Sequence, residues 1–136
     1  MKKIVTGLLA VAVGLSIATA FADVKEDREA YMKTNGKLVF GTLGPIAKGE
    51  KPFDAATVAA TLKEFGDHAA KFDAAALFPE GSGGEGTESL PTIWEDAAGF
   101  AKTVEDYKTA AAAAAAANPA DVAALGATLG EIGKAC

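Results

Sequence analysis

Apolar residues recur at alternating spacings of three and four along four stretches of the chain, which is the pattern of the buried face of an amphipathic helix. Alternation with a period of two, which would indicate strands, occurs nowhere in the sequence. The predicted helices run from Glu26 to about Ala47, from Asp54 to Phe72, from Asp96 to Ala117 and from Pro119 to Cys136. Four such helices predict an all-α, antiparallel, up-down-up-down four-helix bundle.

Each predicted helix carries one apolar seam and plausible end signals. The seams, in chain order, are Met32, Gly36, Val39, Leu43 and Ile46; Val58, Leu62, Phe65, Ala69 and Phe72; Ala97, Phe100, Val104, Tyr107 and Ala111; and Val122, Leu125, Leu129, Ile132 and Cys136. Asp54 and Asp96 are the predicted N-caps of the second and third helices. Gly49 is the predicted terminator of the first helix, just after a proline, Pro45, that should bend its last turn.

The connections also have distinct compositions. The segment from Pro79 to Pro91 contains the run GSGGEG and no periodicity, so it is predicted to be a flexible loop, long for a bundle. Ile93 and Trp94 should close that loop as apolar anchors. The alanine run 110–117 favours helix. It predicts a thin helix that its neighbours can approach closely.

The first 22 residues have the organisation of an export signal. Lys2 and Lys3 precede the apolar stretch 4–17, and the small-residue pattern Ala20-Phe21-Ala22 follows it. The apolar stretch is short for a stable membrane span. We therefore expect residues 1–22 to be a signal peptide cleaved after Ala22, and residues 23–136 to form one periplasmic domain with no stable membrane insertion.

Charge and cysteine content narrow the possible partners. Without the signal, the chain has 11 basic and 18 acidic residues, a net charge of −7. An acidic surface is repelled by nucleic acid and by anionic membranes, so neither is an expected partner. Cys136 is the single cysteine of the sequence, so it has no partner there for an internal disulfide, even in an oxidising compartment. It is a free thiol, an intermolecular link or a covalent attachment point.

Residues for hydrolytic or nucleophilic catalysis are not arranged in any recognisable spacing. The one histidine, His68, lies beside the second seam and is interpreted as solvated or half-buried. No Ser/His/Asp or Cys/His set is implied, and no Glu-x-x-His pair is present for a di-metal bundle site. The glycines of residues 81–86 do not follow a strand, so a phosphate loop is not indicated. The chain is not predicted to be an enzyme.

Two sulfur-bearing side chains are predicted to lie at the same end of the bundle. Helices 1 and 4 run antiparallel in this topology, and Met32 is only ~10 Å from the start of helix 1. Cys136 ends helix 4 at that same end. A thioether beside a thiol suits a soft metal or a haem better than a hydrolytic site, although a methionine on a helix seam is more often core packing.

At this point the sequence resembles the class II c-type cytochromes, which include cytochrome c prime and its low-spin relatives, over essentially all of residues 23–136. The resemblance rests on the order and spacing of short motifs: Arg28-x-x-x-Met32, Lys51-Pro52-Phe53-Asp54, Leu77-Phe78-Pro79-Glu80-Gly81, Pro91-x-Ile93-Trp94, Asp96-Ala97-Ala98-Gly99-Phe100 and Ile132-Gly133-Lys134-Ala135-Cys136.

The resemblance implies a covalently attached haem c inside the bundle. Cys136 would match the first cysteine of the C-x-x-C-H attachment motif, whose second cysteine and proximal histidine are absent from this sequence. By this resemblance the family motif is cut at its first cysteine. Met32 would be the distal iron ligand, and Arg28 would lie near the haem propionates or form a surface salt bridge. Trp94 and Phe100 are interpreted as packing residues.

The functional expectation is a periplasmic, low-spin electron-transfer protein, because a methionine ligand favours electron transfer. Two alternatives stay open. One is a high-spin, gas-binding cytochrome c prime that lacks the sixth ligand, and the other is a haem-free helical interaction module. The expected partners are periplasmic redox proteins, and the family resemblance allows a homodimer through helices 1 and 2.

Overall fold

The computed structural model describes the backbone of residues 12–136 and the side chains of residues 21–136. Within these residues all regular secondary structure is helical, and the relatives of known structure are four-helix bundles, so the predicted fold class is confirmed. The helical segments are α1 (Ala12–Gly36), a π-helix (Lys37–Leu43), α2 (Gly44–Ala47), α3 (Ala55–Ala70), α4 (Ala74–Leu77), α5 (Thr92–Glu95), α6 (Ala97–Ala116) and α7 (Val122–Ala135).

The first rod of the bundle is longer than predicted. It begins at Ala12 and runs without a break through the expected cleavage point after Ala22, whereas the prediction placed its start at Glu26. Residues 1–11 of the predicted signal peptide lie outside the described residues. The rod ends at Ala47, as predicted, and Gly49 terminates it in a left-handed conformation with φ of 73°.

Aspartate N-caps start the helices of the rest of the chain. The carboxylates of Asp54 and Asp96 accept hydrogen bonds from the backbone N–H three residues on, at 2.7 and 2.9 Å, which confirms both predicted caps. Asp73 and Asp121 cap α4 and α7 in the same way. Because Asp121 takes this role, the fourth helix starts at Val122, and the prediction that it starts at Pro119 is wrong.

The bundle core joins α3, α6 and α7 with the C-terminal half of the first rod. Val58, Leu62, Phe65 and Ala69 of α3 are buried, as the spacing of their seam predicted. Gly66 of α3 lies so close to α6 that a methyl group there would come within 2.8 Å of the Ala115 side chain. The alanine run therefore does permit the close approach that was expected of it. On α7, Leu125 and Ile132 are buried.

The π-helix changes which face of the first rod points inward. Hydrogen bonds in this segment span five residues, as between Gly44 N–H and the Val39 carbonyl, so each turn contains one extra residue. Leu43 and Ile46, after the π-helix, are buried as predicted. Before it, the buried positions are Arg28 and Asn35 rather than the predicted Met32 and Gly36, and Leu38 is buried within its first turn. The prediction assumed a regular α-helical period throughout the first rod, and it therefore placed Met32 and Gly36 on the wrong face.

Candidate functional site

A cavity of about 840 Å³ opens between α1 and the long loop that precedes α5. This size is within the range of small-molecule and cofactor pockets, roughly 300–1,000 Å³. The cavity is lined by Lys25, Arg28, Glu29, Met32, Phe78, Gly86, Thr87, Glu88 and Ser89. Two residues singled out from the sequence, Arg28 and Met32, thus share one cavity wall.

Met32 presents its thioether to this cavity. The side chain is 59 % exposed, so the prediction that it is buried on the helix seam is wrong, and the register change at the π-helix is the cause. One turn further along, Gly36 faces open space, because a methyl group built there would have no neighbouring atom within 4 Å. The sulfur is consequently accessible on the cavity side of α1.

Arg28 is buried and holds the loop onto α1. Its Nε donates to the Leu77 carbonyl at 2.5 Å, and its Nη1 donates to the Ser82 carbonyl at 3.1 Å. Nη1 also reaches the hydroxyls of Thr87 and Ser89, and Nη2 donates to the Ser82 hydroxyl. These acceptors lie between Leu77, the last residue of α4, and Ser89 in the loop. The expected surface salt bridge is not formed within the part of the chain that the structure describes.

The Arg28 guanidinium also lies over an aromatic ring. Its central carbon is 4.4 Å from the ring centroid of Phe78, a cation–π arrangement. Burial lowers the pKa of Arg28 below its usual value, but arginine remains protonated at neutral pH. The cavity wall therefore carries a fixed positive charge, the Arg28 guanidinium, which is stabilised by the oxygen atoms of the loop and by the Phe78 ring.

Trp94 anchors the other side of the loop. The indole Nε1–H is shared between the Phe78 and Pro79 carbonyls, at 3.1 Å from each. Gly83 packs against the indole so closely that a methyl group there would lie 2.6 Å from a ring carbon. Together with Arg28, Trp94 gives this loop a defined course. The expectation of a flexible loop is therefore corrected, while Trp94 does act as the expected anchor.

His68 and Tyr31 form a reciprocal contact between α3 and α1. Their rings stack with centroids 4.0 Å apart. The His68 Nε2 lies 3.2 Å from the Tyr31 carbonyl, and the Tyr31 hydroxyl donates to the His68 carbonyl at 3.2 Å. The histidine thus packs between helices, in keeping with its interpretation as a half-buried structural residue.

A polar cluster continues from Tyr31 toward α6. The hydroxyls of Tyr31 and Tyr107 are 3.2 Å apart, and Tyr107 exchanges hydrogen bonds with the Asn35 carboxamide at 3.0 and 3.1 Å. Burial raises the pKa of both tyrosines, and the nearby Cys136 thiol contributes to the rise in each. Sequence reasoning missed this cluster, because Tyr107 was assigned to an apolar seam and Asn35 to no role.

Cys136 closes α7 near this cluster. The thiol is exposed, so its predicted position on the buried seam is wrong. Desolvation by the surrounding protein nevertheless raises the pKa of the thiol, and Cys136 contributes to the raised pKa of its neighbours Tyr31 on α1 and Tyr107 on α6. The last turn of α7 and the cavity wall of α1 are thus brought to the same end of the bundle, as the antiparallel topology predicted.

The side chains at this end of the bundle fit a haem. Met32 offers a soft thioether at an accessible position, and Phe78 offers an apolar ring. Arg28 offers a positive charge for carboxylates, and Cys136 offers a thiol for attachment. A helical bundle with such a cavity belongs to the class of bundle haem proteins.

Within the described residues, no helix is long and apolar enough to cross a membrane.

Comparison with known proteins identifies the family. Residues 23–136 match the family Cytochrome C'. A cytochrome c-556 of Rhodopseudomonas palustris is 39 % identical over 126 residues, which cover 89 % of this chain and 82 % of the relative. A solved cytochrome c' structure from Rhodobacter sphaeroides superimposes with a TM-score of 0.76 at 33 % identity, covering 85 % of this chain and 90 % of the other.

A second solved structure is a ferrous cytochrome c prime variant from Alcaligenes xylosoxidans with bound NO. It has a TM-score of 0.72 at 28 % identity and covers 85 % of this chain and 90 % of its own. The chain therefore belongs to the cytochrome c' family. Members of this family bind haem c covalently and act as haem carriers rather than as typical enzymes. They are periplasmic and are often dimers.

Proposed function

We propose that this protein carries single electrons in the periplasm, with Met32 as the distal ligand of a haem attached through Cys136. The observation that carries this proposal is the position of Met32, a residue that is 59 % exposed and lies on the wall of the large cavity. The haem, when bound, supplies a one-electron iron couple. A thioether ligand favours the reduced state and raises the reduction potential, so Met32 suits a carrier and the protein needs no catalytic residues of its own.

Arg28 supports the same proposal as a partner for the haem propionates. Arginine has five N–H donors. Its Nε and both N–H groups of Nη1 have oxygen partners on the loop, whereas Nη2 has one, the Ser82 hydroxyl. The second N–H of Nη2 has no acceptor among the described residues and is available to a carboxylate. Arg28 thus serves the loop and a propionate at once.

A gas-binding cytochrome c prime is the second candidate. It is favoured by the family itself, which is typically high-spin, and by the relative that binds NO. The two candidates differ in one respect, which is whether the Met32 sulfur or a small gas molecule takes the distal position. A single substitution separates them, because leucine preserves the size of Met32 and removes the sulfur.

The experiment expresses the whole gene product, including any residues encoded after Cys136, together with haem-maturation machinery. We expect a low-spin spectrum in both oxidation states and slow reaction with carbon monoxide. Met32→Leu should become high-spin and bind carbon monoxide or nitric oxide at least about tenfold faster, because its distal position is open. A high-spin, fast-reacting unmodified protein would instead establish the gas-binding function, and purification without Soret absorption would establish a haem-free module.

Export and assembly complete the proposal. We propose cleavage after Ala22, which N-terminal sequencing tests by finding Asp23 first. The acidic mature chain, with its charge of −7, suits a redox partner with a basic docking surface. A homodimer through the first two rods is supported by Phe40, which is 79 % exposed on the π-helix. Sedimentation of Phe40→Ser beside the unmodified protein tests whether that ring lies in the dimer contact.

A further inference from the structure

We propose that Asn35 is a positioning residue for Met32, donating a hydrogen bond from its carboxamide to the thioether sulfur. This inference rests on the proposed function for its consequence, but its geometry stands on the fold alone. Asn35 lies one turn after Met32 on α1, and its Nδ2 is 3.9 Å from the Met32 Sδ, a long contact within reach of an N–H···S bond.

Tyr107 holds the Asn35 carboxamide in place, and Met32 distinguishes its two ends. The Tyr107 hydroxyl donates to Asn35 Oδ1 at 3.1 Å and accepts from Nδ2 at 3.0 Å. A carboxamide nitrogen carries two N–H groups, so one can bond to Tyr107 and the second to Met32. A flipped amide would keep its contacts with the hydroxyl but would present Oδ1 to the sulfur, which has no hydrogen to donate. The orientation with Nδ2 beside the sulfur therefore makes one more hydrogen bond.

The surroundings keep this amide in place. Asn35 is only 9 % exposed, and Tyr31 extends the cluster by holding the Tyr107 hydroxyl at 3.2 Å. Buried polar groups destabilise a fold when they lack partners. Among the described residues no buried side-chain nitrogen or oxygen lacks a partner. The bundle thus maintains a satisfied polar cluster, contributed by α1 and α6, directly beside the sulfur.

The contact has a chemical consequence for Met32. Methionine has three rotatable side-chain bonds, and Met32 is largely exposed, so packing alone leaves its sulfur mobile. A thioether sulfur has two lone pairs. A hydrogen bond to one restricts the side chain and leaves the other for a metal. Asn35 therefore favours the conformation in which the sulfur is ready to act as a ligand.

The test uses the haem-loaded protein labelled with ¹³C at the methionine methyl groups. The 136-residue sequence has two methionines, of which Met1 lies in the proposed signal peptide, and the Met32 signal is assigned by its absence from Met32→Leu. The variants are Asn35→Leu and Tyr107→Phe, the second of which keeps the ring and removes only the hydroxyl. Thr61→Val is the matched control. Thr61 is also buried, but its hydroxyl bonds within α3, to the Thr57 carbonyl at 2.8 Å.

In the ferrous protein we expect one sharp, ring-current-shifted Met32 methyl signal. It should broaden and move in Asn35→Leu and, by less, in Tyr107→Phe, while Thr61→Val should leave it unchanged. Imidazole should displace the methionine at about three- to tenfold lower concentration in Asn35→Leu, as expected for one lost hydrogen bond. In the Met32→Leu background the Asn35 substitution should no longer change imidazole affinity.

An unchanged methyl signal in both variants would overturn the role of Asn35. Failure of the proposed function gives a different result, since the unmodified protein would then lack the ring-current shift of a ligated methyl. In that case the methyl signal still reports on the amide contact, because Asn35→Leu must move it more than Thr61→Val does. Should Asn35→Leu fail to fold, Tyr107→Phe carries the same comparison.

Discussion

Two regions of this bundle are held together by different kinds of interaction. At the interface of α3, α6 and α7, the contact is made by apolar side chains such as Leu62, Ala111 and Leu125, all fully buried. Around the cavity, hydrogen bonds from Arg28 join α1 to residues 77–89, and hydrogen bonds from Trp94 join α5 to the start of the same connection. The first kind of region provides stability, and the second leaves room and polarity for a ligand. This difference can be tested by weakening first the apolar interface and then the hydrogen bonds around the cavity.

Removing a side chain from the apolar interface should have the largest effect. Leu62→Ala deletes a fully buried side chain and leaves a cavity that the bundle refills only in part. We expect a loss of about 2–5 kcal/mol in the free energy of unfolding. Urea denaturation followed by circular dichroism measures it. The neighbouring Lys63→Ala, which removes only an exposed ion pair with Asp67, should cost less than about 1 kcal/mol; comparable losses in both would contradict the comparison.

Removing the guanidinium from the cavity side should loosen the loop more than it destabilises the bundle. Arg28→Met keeps an unbranched side chain but leaves the Leu77 and Ser82 carbonyls without their donor. We expect a global loss of about 1–3 kcal/mol. Hydrogen exchange should accelerate more in residues 78–91 than in α6, where it reports only the global loss. Arg28→Lys should not restore protection, because lysine lacks the planar set of donors. Uniformly faster exchange would mean that the two regions are not separable.

The smallest expected effect on stability is that of Asp54, the N-cap of α3, which is one of the helices of the apolar interface. Hydrogen bonds from the Thr57 side chain and backbone lower the pKa of Asp54. The cap therefore stabilises α3 above the carboxyl's unfolded pKa of about 4, and this contribution is lost as the pH falls through the folded value. Asp54→Asn keeps a good cap but cannot titrate. Thermal melts in mildly acidic buffers should show a shallower pH dependence for Asp54→Asn, and identical slopes would refute this.

Sequence patterns predicted the apolar interface well because its contacts follow helical periodicity. The seam of α3 and the caps at Asp54 and Asp96 depend on local chemistry, and they lie where they were expected. The cavity region was predicted less well. Arg28 acts on loop residues 49 to 61 positions away, a distance over which no periodicity is informative. The burial of Asn35 depends on a π-helix for which the spacing of apolar residues carried no clear signal.

Residue types drew attention to the side chains of this end of the bundle for their chemistry. Met32 was singled out as a sulfur ligand on a face that it does not occupy, and the reason for choosing it, a thioether near a terminal thiol, does not depend on that face. Its role as an iron ligand, like those of Cys136 and Arg28, stays a prediction. The conformation of the loop and the side-chain hydrogen bonds could not be predicted from sequence patterns, because they are formed by residues far apart in the sequence.

The π-helix in the first rod allows the residues before it and the residues after it to change their facing independently, although they share one helix. Each residue advances an α-helix by about 100°. Deleting one residue within Lys37–Leu43 would restore regular winding and swing everything before it through roughly that angle, while Leu43 and Ile46 stayed in place. A single codon gained or lost there can redirect the sulfur of Met32 toward or away from the bundle interior. Such a change would alter the setting of the Met32 side chain while Leu43 and Ile46 kept their place in the core.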